Sequence, residues 1–193
     1  SNWEDALFKK SAFNQNYEFS AQGGSELTKF FASLNYKTED GMINTTGMEG
    51  FTGRVNVTHK SKDGKMQMGA NISFSKQKSE MASEGTAYAN AYFVKNWYAI
   101  PNLPIYNEDG SYAADSPSRV VSNKIDNVVA QLNLRKKEEA STTVYAGIFA
   151  DWEAIKGLKF KTSLGLNAST SKTNEYKPGS LPTMMQNKTK GEA

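Results

Sequence analysis

The sequence lacks cysteine, long apolar runs and a concentration of charge of one sign. Without cysteine, the chain has neither a disulfide framework nor a thiolate metal site. Apolar residues make up 38% of the 193 residues and never form the run of roughly 20 that a membrane-spanning helix requires. The 23 basic and 20 acidic residues give a net charge of only +3, and the basic residues are scattered, which argues against a nucleic-acid partner.

Residue patterns for catalysis are also scarce. His59 is the only histidine, and no G-x-S-x-G sequence offers the nucleophile turn of a serine hydrolase. Gly47, Gly50 and Gly53 have the wrong spacing for a dinucleotide-binding loop. We therefore expect no enzymatic activity, no cofactor and no metal site.

What the sequence does contain is alternation of apolar and polar residues with a period of two, which is typical of β-strands. In the last such run, Leu158, Phe160 and Leu164 alternate with Lys159 and Lys161. The pattern predicts an all-β antiparallel meander of about six long strands. A soluble β-sandwich would show the same alternation, because one face of each sheet packs on the core. The predicted strands cover residues 13–23, 28–38, 51–60, 66–77, 142–154 and 158–170.

The predicted connections between strands are alternately short and long. Tight, glycine-containing turns are expected at 23–26, 61–65 and 156–157. Between them lie a loop of moderate length at 40–50 and a very long loop at 77–141. Short turns on one side and long loops on the other are typical of outer-membrane barrels, and this pattern favours a barrel over a sandwich.

The long loop contains several predicted features of its own. Residues 87–98 have helical spacing, and 107–110 predict a turn between two short extended pieces, 103–106 and 111–113. The oxygen-bearing side chains in that turn are compatible with calcium, but the terminal glutamate of an EF-hand is missing, which favours a plain turn. An apolar patch at 128–134 suggests a short strand at the base of the loop, before a charged tip at 135–139.

Aromatic residues are concentrated in this long loop. Flat rings with a polar edge suit stacking on sugars or holding peptides, so the cluster is a candidate ligand or partner site. The alternative is that the rings pack the loop against itself, since a loop of this length needs its own core. The candidate residues are Tyr88, Tyr92, Trp97, Tyr98, Tyr106 and Tyr112.

Four cationic residues lie on the polar side of the predicted strands: Lys29, Arg54, Lys159 and Lys161. In a barrel, these side chains would face the lumen and contact a plug or guide a solute. In a sandwich, they would be solvated.

Several stretches, in this order, resemble the SusC/RagA family of TonB-dependent outer-membrane transporters. They include residues 2–8, 23–25, 31–36, 51–57 and 104–112. Each stretch is only a turn or a strand edge, but their order and spacing together are specific. The resemblance covers residues 2 to about 180.

The resemblance implies that residues 1–193 are part of a transmembrane barrel of about 22 strands. The six strands would be roughly the second to the seventh, with the short turns on the periplasmic side. The plug and the rest of the barrel would lie outside this sequence, and a secretory signal is not expected in it.

The same resemblance implies an outer-membrane location and import of a large nutrient, either an oligosaccharide or a peptide. Its expected partners are a SusD-like surface lipoprotein, TonB acting through the plug, and outer-membrane lipid. The alternative interpretation is a secreted, soluble β-domain that binds glycans.

Overall fold

The computed structural model describes residues 2–82, 104–113, 116–117, 124–125 and 127–181. Six long strands dominate this part of the chain, and the shortest and longest have 11 and 20 residues. The elements are α1 (Trp3–Leu7), β1 (Asn14–Gly24), β2 (Thr28–Asp40), β3 (Gly47–Lys60), β4 (Met66–Glu80), β5 (Ser116–Pro117), β6 (Lys124–Ile125), α2 (Val128–Leu134), β7 (Lys136–Ile155) and β8 (Leu158–Tyr176).

The long strands form one antiparallel sheet in the order β1-β2-β3-β4-β7-β8. Each long strand pairs with the next long strand along the chain, so the sheet is the predicted six-stranded meander. The two-residue strands β5 and β6 pair separately, within the connection between β4 and β7.

The three tight turns predicted from glycine are present at one end of the sheet. Gly64 and Gly157 have φ values of 71° and 88°, which an L side chain rarely adopts. In the first turn, the Ser25 hydroxyl oxygen accepts hydrogen bonds from the backbone N–H groups of Leu27 and Thr28. The loop at 41–46, residues 81–82 and residues 127–135 lie at the opposite end, which we call the loop end.

Two features predicted for the long loop are corrected by the structure. The expected charged tip at 135–139 is largely strand, since β7 begins at Lys136 and pairs with β8 along its whole length. The expected strand at 128–134 is the helix α2. The physical reason is the Asn127 side chain, which accepts a hydrogen bond from Ala130 N and satisfies one of the free donors of the first turn.

The two faces of the sheet differ in character because directly paired residues of adjacent strands lie on the same face. One row across the sheet runs through Ala32, Val55, Ile72, Ala146 and Leu166. We call this side the apolar face. The adjacent row, through Ser33, Arg54, Ser73, Tyr145 and Asn167, lies on the other side of the sheet and is mainly polar. We call that side the polar face.

The apolar face is not the interior of a sandwich in the part of the chain that the structure describes. Leu34 is 52% exposed, Ile72 53%, Ile148 56% and Leu164 71%. Buried apolar residues are instead concentrated at the loop end, around Trp3, Leu7, Ile105, Val128, Val129 and Leu132. We call this group the loop core. Across the described residues, no helix has the length and hydrophobicity needed to span a membrane.

Candidate functional site

The polar face carries all four of the predicted cationic residues. Arg54 pairs with Ser33 and Ser73, and Lys29 pairs with Thr58 on the same side of the sheet. Following the paired residues from β4 through β7 to β8 shows that Lys159 and Lys161 lie on this face as well. Alternation within each strand is therefore enough to bring the four cations to one surface.

Two of these cations are neutralised across the β7–β8 hairpin. Lys159 Nζ lies 3.5 Å from Glu153 Oε2, and Lys161 Nζ lies 3.8 Å from Asp151 Oδ2. Exposed pairs of this kind contribute about 0–1 kcal/mol to stability. Their main effect is to leave little net charge on this part of the polar face.

The other two cations, Lys29 and Arg54, form no ion pair with any described residue. Each lines a cavity on the polar face, of about 510 Å³ at Lys29 and about 280 Å³ at Arg54. Asn56 lines both cavities. Of these four cations, the two without an ion pair among the described residues therefore lie on β2 and β3.

Tyr106 and Tyr112 come together on a short hairpin at the loop end. They form an antiparallel bridge, and their ring centroids are 5.2 Å apart with the planes tilted by 35°. The predicted turn between them is confirmed by a hydrogen bond from Gly110 N to the carbonyl oxygen of Asn107. Partial burial, with a smaller contribution from Tyr112, raises the pKa of Tyr106 above its usual value. The two rings thus present a fixed aromatic surface, with Tyr106 47% exposed.

The acidic side chain in the turn of this hairpin, Asp109, is hydrogen-bonded within the turn itself. Asp109 Oδ1 accepts hydrogen bonds from the backbone N–H of Ser111 at 2.9 Å and from the Ser111 hydroxyl at 2.5 Å. These bonds hold the pKa of Asp109 below its usual range. The geometry is that of a plain turn, and no group of three potential metal-binding side chains occurs among the described residues.

The hairpin is anchored by Asn127, a residue whose importance was not recognised from the sequence. Asn127 Nδ2 donates hydrogen bonds to the carbonyl oxygens of Ile105 and Ala113, at 2.9 and 3.1 Å. The same side chain caps α2, and only 3% of the residue is exposed. The signal available in the sequence was an asparagine directly before an apolar run.

The loop core is tied to the sheet by polar contacts. Asn44, between β2 and β3, donates from Nδ2 to the Ala6 carbonyl oxygen at 2.9 Å. Thr45 Oγ1 donates to the Leu132 carbonyl oxygen at 3.3 Å. Arg135 then joins the end of α2 to β8, with a guanidinium nitrogen 2.6 Å from Glu175 Oε1.

The remaining four aromatic candidates, Tyr88, Tyr92, Trp97 and Tyr98, lie outside the described residues, as does the helix predicted at 87–98. Their role as a ligand or partner site stays a prediction. Among the six candidates, the structure brings together Tyr106 and Tyr112.

A long antiparallel meander with one exposed apolar face and one polar face has the architecture of a β-barrel wall segment. The fold is similar to part of a solved structure of the RagAB peptide transporter, with a TM-score of 0.69. That match has 22% sequence identity and covers 94% of this chain and 21% of the transporter chain. It confirms the predicted all-β fold.

The sequence is similar to TonB-dependent receptors over nearly its whole length. TonB-dependent receptor P3 of Formosa agariphila is 27% identical over 185 residues, covering 94% of this chain and 18% of the receptor. TonB-dependent receptor SusC of Bacteroides thetaiotaomicron is 24% identical over 112 residues, covering 58% of this chain and 11% of SusC. No protein-family model matches the chain. These relatives confirm the resemblance to the SusC/RagA transporters, and this chain spans less than a fifth of their length.

Proposed function

We propose that residues 1–193 form part of the barrel wall of a TonB-dependent outer-membrane transporter that imports a large nutrient. The observation that carries the proposal is the exposed apolar face, which extends across all six long strands. A contiguous apolar surface of this size calls for lipid or a partner against it. The relatives are receptors and transporters, which supports lipid as the occupant and a function other than catalysis.

In this arrangement, the apolar face contacts outer-membrane lipid and the polar face lines the lumen. The tight turns then lie on the periplasmic side, and the loop end lies outside the cell. The loop core holds the Tyr106–Tyr112 hairpin in a fixed position at that outer end.

The proposed solute is an oligosaccharide or a peptide, captured at the loop end. Paired aromatic rings with neighbouring amide and hydroxyl groups suit both sugar stacking and peptide contacts. One structural relative is itself a peptide transporter. A SusD-like surface lipoprotein is the proposed partner at the barrel mouth, and TonB, acting through a plug, would supply the energy.

The alternative of a secreted, soluble glycan-binding domain is disfavoured by the same exposed face. A soluble sheet of this kind would bury its apolar side against a second layer. Monomeric behaviour of residues 1–193 in buffer without detergent, with the apolar face protected, would contradict the barrel proposal.

The proposal is tested in the full-length protein that contains this segment. We expect it in the outer-membrane fraction, and we expect uptake of labelled oligosaccharides or peptides to require TonB. Replacing both Tyr106 and Tyr112 with alanine should lower solute affinity without reducing the amount of assembled protein. Tyr17→Ala, on the apolar face, is the matched control and should leave affinity unchanged. A soluble protein, or uptake that persists without TonB, would show the proposal to be wrong.

A further inference from the structure

The charge distribution on the polar face points to a binding site along β2 and β3. Lys159 and Lys161 each have a carboxylate partner across the β7–β8 hairpin, at 3.5 and 3.8 Å. Lys29 and Arg54 have no such partner among the described residues, and no acidic residue lines either of their cavities. Of these four cations on the polar face, two therefore have a carboxylate partner and two have none among the described residues.

The surroundings of Arg54 suit recognition of a carboxylate. Its cavity is lined by the amides of Asn56 and Asn71, the hydroxyl of Ser73 and the phenol of Tyr145. An arginine side chain can donate two parallel hydrogen bonds to a carboxylate, and the neighbouring amides and hydroxyls can donate to oxygens of the same ligand. No second arginine or lysine lines this cavity. We therefore expect it to bind one acidic group.

The neighbouring cavity provides a second positive charge and an apolar ring. Lys29 lines it together with Phe31, Asn56 and Thr58. Phe31 is the apolar exception on the polar side of β2, and it is half-buried there. A ring beside a cation and two polar groups can support a sugar ring or a peptide side chain.

The register gives the spacing of the two cations. Lys29 pairs with Thr58, which is four residues along β3 from Arg54. At about 3.4 Å per residue, the two positions are roughly 14 Å apart along the strands. Two acidic groups at positions i and i+4 of an extended chain would span this distance.

We propose that the neighbouring cavities at Arg54 and Lys29, which share Asn56, form an anion-binding track that takes an oligomeric solute carrying carboxylates about 14 Å apart. The ligand is defined by this shared chemistry, which an acidic oligosaccharide or an acidic peptide can supply. The inference rests on the proposed function, because it assigns the polar face to the solute path of a transporter.

Site-specific modification of arginine tests the track without measuring transport. The detergent-purified full-length protein is treated with phenylglyoxal, and modification of Arg54 is followed by peptide mass spectrometry. Arg135 is the internal reference, since its guanidinium already contacts Glu175 at 2.6 Å. The probes are tetragalacturonate and Glu-Ala-Ala-Ala-Glu, compared with the methyl ester of the sugar and with Gln-Ala-Ala-Ala-Gln.

At least one acidic probe should slow modification of Arg54, its neutral counterpart should not, and Arg135 should react at an unchanged rate. Protection by the sugar alone or by the peptide alone identifies the source of the carboxylates. Lys29→Gln should raise the half-protecting concentration about fivefold, the effect of losing one exposed charge pair. Lys62→Gln, in the β3–β4 turn, should have no effect.

Two results would overturn the proposal. The first is protection by the neutral probes equal to that by the acidic ones, or no protection by any probe. The second is a slower modification of Arg54 than of Arg135 before any probe is added. That result would mean that another part of the protein already occupies the track. Selective protection in a protein that fails to import solute would instead contradict the proposed function and leave the anion site standing.

Discussion

The ring of Phe149 lies over Gly69, the residue directly opposite it on the neighbouring strand. A Cβ atom added at Gly69 would come within 2.7 Å of Phe149 Cζ and within 2.9 Å of the Val57 carbonyl oxygen. Phe149 is one of the apolar residues on the polar face. Its ring covers the backbone of Gly69, which has no side chain of its own. Such a cross-strand pair of an aromatic residue and a glycine supports the strand register.

We predict that Gly69→Ala destabilises the sheet. The added methyl group would displace the Phe149 ring or the strand backbone, and overpacking of this kind costs about 1–3 kcal/mol. The measurement is urea unfolding of the full-length protein in detergent. Gly165→Ala is the control, because its added Cβ would have no neighbour closer than 4.0 Å. Equal stability of the two variants would show that the Phe149–Gly69 contact does not constrain the sheet.

A second prediction concerns the two faces of β8. Leu164 is on the apolar face and 71% exposed, and Ser163 is on the polar face. If the apolar face contacts lipid, Leu164→Arg should cost about 2–4 kcal/mol near the bilayer midplane. Ser163→Arg should cost much less, since its side chain would face water in the lumen. The free energy of folding into lipid vesicles distinguishes them, and equal costs on both faces would contradict the assignment.

The strands could be predicted from the sequence because alternation is a local property. The four consecutive residues from Leu158 to Lys161 are enough to show which residues of β8 lie on the apolar face and which on the polar face. The tight β7–β8 turn then sets the register that pairs Lys159 with Glu153. Strand ends were harder to place. The charged residues at the start of β7, from Lys136 onward, pair with β8. In the sequence, such a charged run indicates a loop as readily as a strand end.

Features that depend on distant contacts could not be predicted in this way. Phe149 on the polar face packs over Gly69, which is 80 residues earlier in the chain. The apolar run 128–134 is short enough to be a strand or a helix, and its composition does not decide between them. Asn127 favours the helix through its cap on Ala130 N, and its other hydrogen bonds go to a hairpin whose proximity the sequence does not reveal.

The last prediction is that Asn127 holds the Tyr106–Tyr112 hairpin against α2. Its side chain donates to Ile105 O and Ala113 O and accepts from Ala130 N, so it links both strands of the hairpin to the first turn of the helix. Asn127→Ala would leave buried carbonyl groups without these donors, at a cost of about 1–3 kcal/mol. Because the contacts are confined to the loop end, the effect should be local.

Hydrogen exchange of the full-length protein measures this effect. In Asn127→Ala, residues 104–113 and 128–134 should exchange faster, whereas β1–β4 should exchange at the wild-type rate. Asn133→Ala, at an exposed position of the same helix, is the control and should change neither region. Asn127→Asp separates the two roles of the side chain, since it keeps the helix cap but sets a carboxylate against two carbonyl oxygens. Exchange in Asn127→Asp should therefore be at least as fast as in Asn127→Ala. Wild-type protection in Asn127→Asp would mean that the cap alone matters and that the hairpin is held by apolar contacts of the loop core.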